Sequence, residues 1–132
     1  MGVRNSKGAP SETVQTAARI PEPLREGVAL FNREHFFEAH EALEDVWRPA
    51  RGPERAFLQA LIHLAVGFYH WRNGNSEGAV RQLRKGLRKL AGYLPVYMGI
   101  DTMRLYRECL KRSEALHAGQ PPEAFPSITT VR

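Results

Sequence analysis

The chain has one cysteine, Cys109, so it can close no internal disulfide, and Cys109 has no companion at metal-ligand or redox spacing. It also lacks an apolar run long enough to span a bilayer. The longest such stretch, Phe57 to Trp71, is interrupted by Gln59, His63 and His70. The first 21 residues are small and polar, with Gly2, Ser6, Gly8, Pro10 and Ser11, and hold no apolar core of a secretory signal. No alternating apolar-polar strand pattern and no internal repeat occurs. These absences argue against a disulfide scaffold, a membrane protein and a β fold, and they place the chain in the cytoplasm.

What is present fits one globular unit. At 132 residues, 42% of them hydrophobic and 25% charged, the chain is long enough for a single core. Residues 1–21 read as a mobile N-terminal arm, 22–118 as a helical domain and 119–132 as a C-terminal tail opened by Gly119, Pro121 and Pro122. The net charge of +5 is unevenly spread. Glu34, Glu38, Glu41, Glu44 and Asp45 make one segment acidic, whereas Arg81, Arg84, Lys85, Arg88 and Lys89 make another basic. The basic stretch can attract an anionic partner or serve as a solvated helix face.

Every periodic segment is helical. Pro23 suits a first helical position, followed by Leu24, Val28, Leu30 and Phe31. Phe36 to Trp47 forms a second helix, closed by Pro49, Gly52 and Pro53. A third, about Glu54 to Asn73, is apolar almost all round and is expected to be central. Asn73-Gly74-Asn75 stops it, and Ser76 is a candidate cap for a fourth, Glu77 to about Tyr93. Tyr93 to Gly99 reads as a loop. Asp101 or Thr102 caps a fifth helix reaching about His117. The predicted fold is all-α, a small bundle of about five helices with a buried central one.

The densest chemistry lies in the second helix. Glu38, His40, Glu41 and Glu44 fall within seven positions, with Trp47 below them. His40 and Glu44 are one turn apart on one face. On the third helix Gln59, His63 and His70 share a narrow sector, and Tyr69 adds an aromatic wall. If the two helices pair antiparallel, His40 and Glu44 can look across at His63 or His70. Imidazole and carboxylate suit a divalent zinc, manganese or iron ion, whose bound water Glu41 or Glu38 could deprotonate. The competing reading is structural: His40 bonded to Glu44, Trp47 filling space, and arginines such as Arg48 or Arg72 neutralising the acids.

Phe31-Asn32 and Phe36-Phe37-Glu38-Ala39-His40-Glu41-Ala42-Leu43-Glu44-Asp45-Val46-Trp47-Arg48 resemble the signature of the family catalogued as domain of unknown function 309. Phe57-Leu58-Gln59-Ala60-Leu61-Ile62, Ala65-Val66-Gly67-Phe68-Tyr69-His70, Asn73-Gly74-Asn75 and Met98-Gly99-Ile100-Asp101 extend the resemblance over about Leu24 to Leu110. It implies a small, all-helical, intracellular prokaryotic protein in a family labelled predicted metal-dependent hydrolase, with Glu38, His40, Glu41, Glu44 and Trp47 on the family motif. Position 63 departs from the family pattern, where glutamine is common.

Two main functional expectations follow. In the first, a metal-dependent hydrolase acts on an unidentified small ligand, with His40, Glu44 and His70 on the metal, Glu41 or Glu38 as acid/base, and Trp47, Gln59, His63 and Tyr69 lining the site. In the second, a non-enzymatic binding or assembly module uses the same cluster as scaffold. Nucleic acid binding through Arg81, Arg84, Lys85 and Arg88 is not expected, because no recognition motif or aromatic interleaving accompanies them. Exposed apolar residues would allow a homodimer.

Overall fold

A computed structural model describes residues 19–120 and 124–131. Helix α1 spans Glu22–Asn32, α2 Phe36–Trp47, α3 Pro53–Arg72, α4 Ser76–Leu90 and α5 Thr102–His117. A 3-10 turn, Ala91–Tyr93, and two short strands, β1 Val96–Tyr97 and β2 Ile100–Asp101, link α4 to α5. The bundle is all-α apart from that hairpin.

Local sequence explains the boundaries. Pro23 and Pro53 sit in the first turns of α1 and α3, where a missing N–H costs nothing. Gly52, just before α3, has φ +66°, a conformation glycine adopts without strain. The cap of α4 is Asn75 rather than Ser76: its side chain accepts from the Gly78 N–H at 2.9 Å. Asp101 caps α5 in the same way, accepting from the Arg104 N–H at 2.9 Å.

The third helix is the axis of the fold. Its buried set, which includes Phe57, Leu58, Leu61, Leu64, Ala65 and Phe68, covers several sides of the cylinder. Helices α2 and α4 both pack on it; α1 adds to α2, and α5 to α4. Glycines permit the close approach of α3 and α4. Gly67 lies under Leu83, and Gly86 faces Leu64 and the Ala60 carbonyl. One end of the core is an aromatic cluster in which Phe31, Phe36, Phe68 and Phe125 meet edge-on or tilted.

Three segments differ from the sequence expectation. The predicted loop after Tyr93 contains antiparallel pairs Val96↔Asp101 and Tyr97↔Ile100, strands too short to show a period of two. Of the expected N-terminal arm, residues 1–18 lie outside the described residues, while Ile20 is buried in the core. The expected tail has no helix, yet Ile128 is buried and Thr130 bridges Ile100. Asn32 clamps it, accepting from the Ile128 N–H at 2.7 Å and donating to the Ile128 carbonyl at 2.9 Å. No helix among the described residues is long and apolar enough to cross a membrane.

Candidate functional site

Helix α2 buries Phe36, Ala39 and Leu43 and so turns Phe37, Glu38 and Glu41 outward. His40 and Glu44 occupy its flank, 23% and 34% exposed, with His40 Nε2 3.3 Å from Glu44 Oε2. Arg48 lies 3.7 Å from the other Glu44 oxygen and donates to Asp45 at 2.7 Å. The acids nearest His40 are thus shared with a guanidinium on their own helix. Phe37 lies between His40 and Tyr69, with ring centres 5.6 Å and 5.4 Å away.

Trp47 closes the other end of α2. The Arg55 guanidinium stacks 4.1 Å from its ring centre and donates to its carbonyl at 2.9 Å. The indole Nε1 is buried and has no hydrogen-bond partner among the described residues.

The α3 residues do not converge on this pair. Successive residues of an α-helix turn by about 100°. Arg55 and Tyr69 therefore lean toward α2, while His63 leans toward α4. His63 Nδ1 is 2.8 Å from Gln82 Oε1 of α4, and burial lowers its pKa below the usual 6.5, aided by the charges of Lys89 and Lys85 and opposed by the Gln82 hydrogen bond. His70 lies at the end of α3, its Nδ1 3.5 Å from Asn75 Nδ2. Gln59 is half-buried in the seam between them.

The expected metal centre would need His40, Glu44 and His70 together. Among the described residues, no three His, Cys, Asp or Glu side chains are grouped to hold an ion. His40 and Glu44 offer two donors, and Arg48 competes for one of them. A catalytic zinc site commonly draws three protein ligands. Glu41 and Glu38, expected as acid/base, are exposed on the outer face of α2. Cys109 is fully buried and its thiol is pushed well above its ordinary pKa by burial, which makes it a packing group.

A concavity lies elsewhere, between α4 and the end of α5. This groove of about 650 Å³ is rimmed by Arg81, Arg84, Lys85 and Arg88, with Val80 and Leu116 in its floor and His117 at its side. A shallower hollow of about 390 Å³ continues it past Leu110 to Tyr106. Arg84 approaches His117 Nδ1 at 3.4 Å. Among the described residues none of the four rim cations has a carboxylate partner, whereas Arg48, Arg72 and Arg112 each have one. The run of cations was visible in the sequence. Its closure into a groove depends on α5 folding back onto α4, which makes His117 a wall.

Residues 24–82 match the family described as Domain of unknown function (DUF309). A conserved hypothetical protein of known crystal structure from Thermus thermophilus shares 34% identity, with 74% of this chain and all of that one aligned, at a TM-score of 0.62. The chain belongs to the DUF309 family. Uncharacterised proteins from Aquifex aeolicus and Bacillus subtilis (YpuF) are also similar, at 28% identity over 109 residues and 39% over 57. The alignments cover 80% and 42% of this chain, and it spans about a third, 32%, of each of those two relatives. The DUF309 match contains α1, α2, α3 and the first half of α4. It thus includes the His40–Glu44 pair and Arg81 but stops before Arg84, Lys85, Arg88 and all of α5.

Proposed function

We propose that this chain is a non-enzymatic binding module whose working surface is the groove between α4 and α5, taking an anionic partner, and that the motif of α2 is frame rather than active centre. Four rim cations with no ion-paired carboxylate among the described residues, set around an apolar floor with only Glu77 to offset them, carry the reading. Such a cluster repels itself unless an anion lies among it. The hydrolase reading implied by the family label needs a third ligand beside His40 and Glu44, and His63 and His70 are bonded toward α4 and its cap instead.

Retention on immobilised heparin tests this. The wild-type chain should elute late, and earlier as salt rises. Arg84→Glu with Arg88→Glu should abolish retention without lowering the melting temperature. Arg33→Glu, an exposed cation at the end of α1 and outside the groove lining, should leave most of it. Equal loss from the groove and control variants would reduce the effect to net charge and end the proposal. In parallel, zinc or manganese should leave the melting temperature of untagged protein unchanged.

A further inference from the structure

Resting on that reading of the groove, we infer that its occupant is the outer face of α2 on a second copy of this chain. The outer face of α2 presents Phe37, Glu38 and Glu41. Phe37 is 45% exposed, one of two large hydrophobic residues so exposed among the described residues. Glu41 and Glu38 lie beside it, both on one side around the helix, and have no cationic partner among the described residues; Arg48 is engaged by Asp45 and Glu44. An apolar knob with carboxylates beside it complements an apolar floor with guanidinium groups on its rim.

The spacing agrees. Glu38 and Glu41 are three residues apart on their helix, as are Arg81 and Arg84 on theirs. Both pairs therefore rise about 4.5 Å. A helix laid along the groove can set Phe37 over Val80 and Leu116 while its carboxylates reach the rim. Arg84 and Arg88 can each hold a carboxylate by two hydrogen bonds. A continuous phosphate backbone fits less well. Glu77 stands at one end of the groove, and Glu114 lines the hollow beyond it, where further phosphates would run.

One molecule cannot fill its own groove. Helices α2 and α4 pack on different sides of α3, which stands between ridge and groove. The contact is then heterologous: ridge to groove, head to tail, closing as a ring or extending as a chain.

Sedimentation velocity of the full chain over a range of concentrations tests the inference, with three charge-reversed samples. R84E/R88E makes groove and ridge both acidic; E38K/E41K makes both basic. Each alone should associate at least about tenfold more weakly than wild type, the scale of losing close interfacial charge pairs. An equimolar mixture should associate again, because each supplies what the other lacks. Association of wild type should weaken with salt, and circular dichroism melts should show every variant folded. A wild-type chain that stays monomeric, or variants that assemble as it does, overturns the inference. If that monomer is still held on heparin through the groove, the binding-module reading survives; if retention is also lost, both fall.

Discussion

His40 and Glu44 meet at the surface, about a quarter to a third exposed, with Arg48 alongside. Ion pairs so placed contribute on the order of 0–1 kcal/mol. His40→Ala and Glu44→Gln should therefore each shift chemical-denaturation stability by less than about 1 kcal/mol, and neither should change any response to zinc. His63 is different because it is half-buried and faces Lys89 and Lys85. Its folded-state pKa is depressed, so as pH falls the unfolded chain takes up the proton first. Its contribution to stability is complete above the ordinary value of 6.5 and is lost as pH drops from there through the folded-state value. Melting temperature should decline over that window, and His63→Gln should flatten the decline.

At the scale of elements, the contact of α3 with α4 depends on residues without side chains. A Cβ added at Gly86 would lie 3.0 Å from the Ala60 carbonyl oxygen and 2.9 Å from Leu64 Cδ2. A backbone oxygen inside a packed helix cannot retreat cheaply. Gly86→Ala should thus destabilise by about 1–2 kcal/mol in urea unfolding, overpacking outweighing the gain in helix propensity. Gly92, whose added Cβ would meet nothing within 4 Å, is the matched control and should tolerate alanine without loss.

Across the described residues charge is unevenly placed. The acidic α2 and the basic α4 flank α3, and the segment after α5 crosses back to α1. There Asn32 grips Ile128 by two hydrogen bonds, and Phe125 contacts Phe36, Phe68 and Trp71. Truncation after Ala118 should lower the midpoint of urea unfolding, because Ile128 leaves the core and the aromatic contacts of Phe125 are lost.

Helices, their order and the central place of α3 were legible because helical periodicity and Gly/Pro stops are local signals. Phe57 through Phe68 announces burial on several sides within a dozen residues. Likewise the cations of α4 and the acids of α2 are visible as runs. Tertiary structure alone decided which of these groups meet. His63 and His70 share a sector with Gln59 on one helix, but a shared sector does not say which neighbour it faces, and packing turned His63 toward α4. Nor could the order of residues show that Leu116 and His117 would wall a groove more than thirty positions from Arg81, or that Asn32 would hold Ile128. Local sequence sets what each helix can bury and how it starts and stops; contacts between distant segments are settled only when rigid rods pack around one core.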